Sequence, residues 1–472
     1  MSTLTAAAIP ETRVSPEWRA FARAMGKTGA GSLASGLLAA LATKILAVAL
    51  GPASVALLST LQQIQQTALA AATLNGQTAL VQGASASSGE SQREYVRCVL
   101  RLFTLATLGI AAIMLAWPAA VARLAGLPGG YANLVRWAAI PVILSSAFTF
   151  LNGLLRVAGE IGRLASIQVL AALAMALAAW PAAMAARAGH TAALVAMLGI
   201  SAGAALWAAA MTIGRRRVLM ARWFAKGSRA AGGGLGAARH FFSVSGAMLA
   251  TSLMGSAALL AVRGRVTRIS GSASTGAFDA AWGISMNHVT LILSAMQVYY
   301  LPVLAAAGHA AERRRHIANG LMLAICAGTP VMVGIALAKP ALISMLYSSA
   351  FEGAARYLRW TLIGDYLKLT SWVLAIPMLA AADMRAFVAA DVLMQTAFWG
   401  GAWLIGRVAG PVKNSPAEAA AIAFTISYAV NFGVCYAYAR RRQGFRFGRR
   451  LAALWIGGLT LVSAASLGVA GV

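Results

Sequence analysis

The strongest constraint on this chain is a series of apolar stretches, each about 20 residues long and without a polar face. A helix of about 20 residues crosses a hydrocarbon core of about 30 Å. The stretches are continuous and rich in Ala and Leu, without the alternation of membrane strands. Only 11% of the 472 residues are charged, whereas roughly a quarter are charged in soluble domains. We therefore predict an all-α polytopic membrane protein.

The apolar runs predict twelve membrane-spanning helices. They lie near residues 28–50, 55–81, 98–122, 134–155, 164–186, 191–213, 241–262, 276–303, 317–338, 357–380, 386–408 and 417–438. Residues 439–472 form a basic linker followed by a thirteenth apolar run at 451–472. This run either spans the membrane or lies against the bundle, and its length favours spanning.

Residues 1–27 are predicted to form a cytoplasmic N-terminus with an amphipathic helix. Within residues 13–27, Trp18, Phe21 and Met25 share one helical face, and the basic residues lie elsewhere on the wheel. This pattern is typical of a helix that lies in the membrane interface.

The basic residues indicate the orientation of the chain. There are 39 Lys and Arg against 12 Asp and Glu, and the net charge is +27. These residues punctuate apolar segments instead of forming a basic soluble module, so we expect anionic lipids and not nucleic acid as partners. Many lie in residues 1–27, 214–240 and 439–450. The positive-inside rule then places the N-terminus in the cytoplasm.

The basic, glycine-rich linker at 214–240 divides the chain into six spans at 28–213 and six at 241–438. The second span of each half is unusually polar. The polar residues that we select from these two spans are Gln62, Gln66, Asn75, Gln77, Asp279, Asn287 and His288. Two polar helices at equivalent places predict an internal repeat around a central hydrated, net-cationic cavity. Hydrogen bonding between helices is the alternative for any single glutamine.

Five further charged residues lie within predicted spans or near their ends: Lys44, Arg136, Arg359, Asp365 and Lys368. Lys44 is about 10 Å from the outer end of its span, within reach of the interface. Asp365 and Lys368 are at i and i+3, share a helical face and can neutralise one another. For Lys44 the alternative to a place in the cavity is reaching the interface, and for Arg136 and Arg359 it is structural anchoring. The last two residues form either a purely structural pair or a pair with a cavity or gating role. His288 is either a proton-sensitive group or a hydrogen-bonded core residue.

Enzymatic chemistry is not indicated. Cys98, Cys326 and Cys435 are far apart and have no metal-ligand spacing. The GKT at residues 26–28 is not a phosphate-binding loop, because Phe21 occupies the place of its first glycine. The sequence therefore favours transport over catalysis, with no cofactor expected.

Four stretches carry a family resemblance. KILAVALGPA (Lys44–Ala53), LNG (Leu74–Gly76), VYYLP (Val298–Pro302) and WTLIGDYLK (Trp360–Lys368) resemble the flippases for O-antigen and enterobacterial common antigen. These flippases belong to the multidrug/oligosaccharidyl-lipid/polysaccharide exporter (MOP) superfamily. The stretches occur in the order and spacing of that family, and the resemblance covers roughly residues 28–440.

The resemblance implies two six-helix lobes that open alternately to the two sides of a bacterial inner membrane. It implies a substrate of oligosaccharide on undecaprenyl pyrophosphate, which is flipped to the outer leaflet for surface polysaccharide synthesis. Lys44 matches the family's basic position, and Asp365 and Lys368 match its GD-x-LK pattern. A polymerase and a chain-length regulator are implied partners. Proton or sodium coupling stays open.

These residues suggest a specific hypothesis: Asp365 and Lys368 form a breakable charge pair on the cavity side, and Lys368 can lend its charge to the passing pyrophosphate. Two other functions stay open. One is a cation-coupled multidrug exporter of the same superfamily, and the other is a membrane polymerase or ligase of lipid-linked glycans.

Overall fold

A computed structural model describes residues 16–127, 129–215, 233–307, 309–381, 383–408 and 415–468. The helices are α1 Pro16–Ala72, α2 Gln77–Ala86, α3 Gly89–Ala116, α4 Pro118–Leu124, α5 Ala132–Val157, α6 Ile161–Arg187, α7 Ala192–Gly214, α8 Gly233–Ala306, α9 Ala310–Leu337, α10 Lys339–Leu346, α11 Ala354–Ala380, α12 Met384–Val408, α13 Pro416–Gln443 and α14 Arg449–Leu467. No strand is present among these residues. The all-α prediction is confirmed.

Two of the helices contain an internal break at a glycine. Gly51 in α1 has φ 72° and ψ −178°, and Gly271 in α8 has φ 81° and ψ 170°. Glycine adopts positive φ at little cost because it has no Cβ. Pro52 then begins the second part of α1, where a missing N–H is tolerated. Each of these long helices therefore consists of two successive helices.

The described helices agree with the predicted number of spans. Eleven helical stretches are long and apolar enough to cross a membrane. Two of them contain the breaks at Gly51 and Gly271. With each of these counted as two helices, the stretches correspond to the twelve predicted spans and to the C-terminal run, which is helix α14. Side-chain bonds from Lys339 to the Ser466 carbonyl (2.5 Å) and from Tyr366 to the Trp455 carbonyl (2.7 Å) attach α14 to the bundle.

The prediction of one continuous helix over residues 55–81 is wrong. Helix α1 ends at Ala72, and the chain turns through Leu74 (φ 51°) and Asn75 (φ 44°) before α2 begins. Asparagine tolerates this left-handed conformation better than most residues. The Asn75 amide also donates to the Met248 carbonyl at 2.8 Å, which fixes the turn against α8.

The predicted interfacial helix at 13–27 is, from Pro16 onward, the first part of α1 and not a separate element. Residues 13–15 lie outside the described residues, as do residues 216–232 of the predicted linker.

The second part of α1 and the first part of α8 pack side by side in opposite directions. Asn75 contacts Met248 near the start of α8. Farther along α8, the Arg263 guanidinium lies 3.4 Å from the Ser59 carbonyl oxygen. Beyond the break in α8, Gly276 lies directly against Pro52. This seam joins the two halves of the chain, whose buried apolar clusters are otherwise largely separate.

Two close backbone contacts lie toward the end of the bundle farthest from the start of α8. Gly276 packs on the Pro52 carbonyl so tightly that a Cβ would overlap with its oxygen. A Cβ at Gly126 would lie 2.7 Å from the Gly264 Cα. Absence of side chains lets the backbones of membrane helices approach closely.

We predict that Gly276→Ala lowers the thermal stability of the protein by an amount that corresponds to about 1–3 kcal/mol, the usual cost of overpacking. Its Cβ has no flexible neighbour that can move aside, because it meets backbone. Melting followed by tryptophan fluorescence in detergent measures the effect.

The matched control is Gly334→Ala in α9, where a Cβ meets nothing within 4 Å. This variant should melt at the wild-type temperature or slightly above it, because alanine is the better helix former. Equal melting of the two variants would show that the α1–α8 contact is not tightly packed.

Candidate functional site

A polar cavity lies between α1, α8 and α12. Its volume is about 350 Å³, room for roughly a dozen water molecules at about 30 Å³ each. The lining residues are Gln63, Asn75, Met248, Thr251, Ser252, Gly255, Ser256, Leu259, Phe387, Asp391 and Gln395. Along the α1–α8 seam, the cavity begins at the contact between Asn75 and Met248, on the side where α8 begins.

A second, smaller compartment of about 100 Å³ adjoins the first. The two share Gly255, Leu259 and Gln395. The remaining lining residues are Trp282, Met286, Lys368, Met394, Phe398, Phe424, Ser427 and Tyr428. The first compartment thus combines amides and hydroxyls with a few apolar side chains. The second has aromatic rings and thioethers around one ammonium group.

Gly255 sets the boundary between the compartments. A Cβ at this position would lie 3.0 Å from Nε2 of Gln395. The absence of a side chain therefore lets the Gln395 amide reach the seam from α12. One turn before Gln395, the Asp391 carboxylate also faces the cavity, and its buried Oδ2 has no hydrogen-bond partner among the described residues.

The cavity is polar but not net-cationic as predicted. Lys368 and Asp391 are the charged residues in its described lining, and they carry opposite charges. Of the two arginines that the sequence predicted for the cavity, Arg136 is exposed and Arg359 is paired with Glu418. The polarity of the cavity therefore comes mainly from neutral groups, each able to donate and accept hydrogen bonds.

Of the predicted polar residues in the first half, Asn75 lines the cavity. Gln66 is exposed and Gln62 is half-buried outside the lining, whereas Gln63 faces the cavity and lies 3.3 Å from the Ser256 hydroxyl. Gln77 is half-buried at the start of α2. Neighbouring residues of a helix point in different directions, so Gln63 faces the cavity although Gln62 does not.

Asp279 is buried in an ion pair. Its Oδ1 lies 2.7 Å from Nε of Arg263, and both side chains are less than one tenth exposed. The pair joins the two parts of α8, and the Arg263 contact to Ser59 extends it to α1. Asp279 therefore belongs to the seam and not to the cavity lining.

Three predicted basic residues also lie away from the lining. Lys44 donates to the Ser344 carbonyl at 2.6 Å. Arg136 is exposed, 3.4 Å from the Asn133 amide oxygen. Arg359 forms an ion pair with Glu418 of α13. The polar residue Asn287 of α8 is exposed.

The predicted pair of Asp365 and Lys368 is not formed. Asp365 is fully buried and accepts a hydrogen bond from the Ser285 hydroxyl at 2.8 Å, and His288 lies 3.5 Å from its other oxygen. The Lys368 ammonium group contacts Met286 Sδ at 3.0 Å and lies 5.6 Å from the centre of the Tyr428 ring. A shared helical face was not sufficient for pairing because α8 and α13 supply other partners.

Sequence reasoning did not select Gln63, Gln395, Asp391 or the hydroxyls of α8 for the cavity. A signal was present for some of them. Asp391 and Gln395 are four residues apart in an apolar span, and Ser252 and Ser256 have the same spacing, so each pair shares one helical face.

The helical architecture around this cavity is similar to that of several solved membrane transporters. An inward-facing multidrug resistance MATE family transporter of the MOP superfamily matches with a TM-score of 0.70 over 88% of this chain and 94% of its own, at 16% identity. Lipid II flippase MurJ in an inward closed conformation matches with a TM-score of 0.65 over 94% and 91%, at 12% identity. A MOP superfamily transporter from Pyrococcus furiosus matches with a TM-score of 0.62 over 92% and 96%, at 16% identity. The predicted alternating-access exporter fold is confirmed.

The sequence has a more limited similarity to curated proteins. Over 161 residues, 34% of this chain, it is 27% identical to the lipid III flippases of Escherichia coli (strain K12) and Shigella flexneri. The match spans 37% of the length of each relative. No family model matches the chain. The chain thus shares its fold with solved MOP superfamily transporters and about a third of its length with lipid III flippases, while membership of the O-antigen and common-antigen flippases stays a prediction.

We predict that Arg263→Met destabilises the fold strongly, because it leaves the buried Asp279 carboxylate without its cation. Removing one partner of a buried pair costs about 3–5 kcal/mol. The double variant Arg263→Met/Asp279→Leu should recover most of this loss, as measured by melting in detergent.

The control is Glu312→Gln, which removes the carboxylate that lies 3.6 Å from His316 in a partly exposed pair of α9. Its effect should stay within about 0.5 kcal/mol. If the double variant were no more stable than Arg263→Met alone, the loss would not come from the uncompensated charge of Asp279.

Proposed function

We propose that this protein is a flippase that moves an oligosaccharide linked to undecaprenyl diphosphate across a bacterial inner membrane. The observation that carries the proposal is Lys368, a cation in the smaller compartment that adjoins the polar cavity. The close contacts of its ammonium group are a thioether and an aromatic ring. A diphosphate supplies the anionic partner that this ammonium group does not have in ion-pair contact among the described residues.

The rest of the cavity suits the other parts of such a substrate. Sugar hydroxyls donate and accept hydrogen bonds, as do the amides and hydroxyls of the larger compartment, among them Gln63, Ser252 and Gln395. A polyprenyl chain does not need the cavity, because it can stay in the lipid while the headgroup crosses. The similarity to lipid III flippases supports a lipid-linked substrate.

The direction of transport is part of the proposal. Basic residues near the start of α8 and after α13 suggest that this end of the bundle faces the cytoplasm. The cavity lies toward that end, and the tight contacts at Gly276 and Gly126 lie toward the other. The described conformation is then the one that receives substrate from the cytoplasmic leaflet.

The main test is Lys368→Ala in a strain that lacks the chromosomal copy. We expect surface glycan to fall about tenfold or more, since hydrogen bonds to charged groups contribute about 1.5–3 kcal/mol. Lys368→Arg should retain more activity because it keeps the charge. Lipid-linked units should accumulate in the cytoplasmic leaflet, whereas loss of a polymerase or ligase would leave them in the outer leaflet.

The matched control is Arg187→Ala, which removes an exposed cation at the end of α6. It should leave surface glycan at the wild-type level. Wild-type glycan in Lys368→Ala, with normal protein in the membrane, would show that Lys368 does not bind the headgroup.

A multidrug exporter is the second candidate, and Asp391 is the observation that favours it. A buried carboxylate oxygen without a partner, next to an aromatic compartment, also suits an organic cation. Asp391→Asn separates the two functions. A flippase should keep most of its glycan export, because Asn preserves the hydrogen-bonding oxygen, whereas a drug exporter should lose resistance to cationic dyes in a susceptibility assay.

A further inference from the structure

His288 and Asp365 face each other in the interior of the bundle, beside the smaller compartment. Nε2 of His288 lies 3.5 Å from Oδ2 of Asp365, and the two side chains are 10% and 0% exposed. Neither atom has a hydrogen-bond partner among the described residues. Each of the other polar atoms of the two side chains has one: Nδ1 of His288 lies 2.8 Å from the Ile284 carbonyl, and Oδ1 of Asp365 accepts from Ser285.

This arrangement defines where a proton must be. The Ile284 carbonyl can only accept, so Nδ1 of His288 carries a hydrogen. Nε2 then either has a free lone pair or carries a second hydrogen. If neither Nε2 nor Oδ2 carried a proton, two electron-rich atoms would face each other 3.5 Å apart, with no donor to either of them among the described residues. One proton on either atom turns this repulsive contact into an attractive one.

We propose that His288 and Asp365 hold one shared proton, and that occupancy of this proton site is linked to the anionic group that binds at Lys368. The inference rests on the proposed function for the identity of the anion. It adds a proton-binding site and a thermodynamic coupling between the two sites.

The link runs through one short segment of α8. Ser285 and His288 contact Asp365, and Met286, between them in sequence, contacts Lys368. Asp365 and Lys368 are also one turn apart on α11. A change in the position or charge of the Lys368 ammonium group therefore changes the electrostatic potential at the Asp365 carboxylate.

The other titratable groups around the site are few. Tyr428 of α13 lies under the Lys368 ammonium group, and Asp391 of α12 lines the adjoining compartment. Tyr366 of α11 points away, to the Trp455 carbonyl of α14, and Cys326 of α9 lies on that same side. His288 is therefore the described titratable group in contact with Asp365.

The sign of the coupling follows from charge. When Lys368 is free, its positive charge compensates the Asp365 carboxylate. When a diphosphate neutralises Lys368, that compensation is lost and a proton on the pair becomes more favourable. By linkage, a proton on the pair strengthens binding of the anion to the same extent. The proton thus lowers the net negative charge that the occupied cavity holds away from water.

The experiment measures proton uptake when the purified full-length protein binds undecaprenyl diphosphate in detergent. Calorimetric titrations in buffers of different ionisation enthalpy, between pH 5.5 and 8.5, count the protons taken up. We expect the wild type to take up more protons than His288→Gln, with a maximum difference of about one. Titration of the probe itself cancels in this difference. Affinity should fall with rising pH more steeply in the wild type.

Two variants serve as controls. His316→Gln removes an imidazole on α9 that is paired with Glu312 outside the cavity, and it should behave as the wild type. Asp365→Asn removes the other member of the pair and keeps an oxygen for Ser285, so it should lose proton uptake as His288→Gln does. If either variant fails to fold, the other still gives the comparison, and infrared difference spectra of the wild type report the added carboxylic acid or imidazolium directly.

The outcomes are distinct. Absence of probe binding to the wild type at every pH would overturn the proposed function. Binding with equal proton uptake in the wild type and His288→Gln would leave the proposed function standing and overturn the shared proton. Uptake that is lost in both variants and kept in His316→Gln would establish it.

Discussion

The seam between α1 and α8 is the contact on which the rest of the structure depends. It is the place where the two halves of the chain meet, and it uses three kinds of contact along its length. An asparagine binds a backbone carbonyl at one end, a buried ion pair lies in the middle, and a glycine packs on a proline carbonyl at the other. The polar contacts satisfy groups that hydrocarbon cannot solvate. The cavity occupies the stretch of the seam between these fixed points.

The small number of charges in the cavity lining follows from the pairing of charged residues elsewhere in the bundle. Arginine and aspartate in the seam neutralise each other, and Arg359 is paired with Glu418, so few charges remain to face the centre. Those that remain lie in different compartments: Asp391 among amides and Lys368 among rings. Such a division lets one cavity contact a hydroxyl-rich group and an anionic group of the same ligand in two separate places.

The fold was predictable from the sequence to a large extent, and the site only in part. Apolar runs of span length define the helices almost directly, because hydrocarbon admits few alternatives. Pairing of side chains depends on helices distant in sequence. Nothing near Asp365 in the sequence indicates that Ser285 and His288 reach it before Lys368 does. Likewise, the choice of Gln63 over Gln62 depends on the rotation of α1, which the apolar pattern of a glutamine-rich helix fixes poorly.

The glycine breaks have a consequence for how the chain enters the bilayer. Gly51 and Gly271 each join the first two spans of a half through a single non-helical residue. There is thus almost no loop to carry across, and the two spans can enter the bilayer together. The apolar first member can then draw its glutamine-rich or histidine-bearing partner into the lipid, where that partner alone would partition poorly. The same residue that bends the chain therefore helps the most polar helices of the protein to become membrane helices.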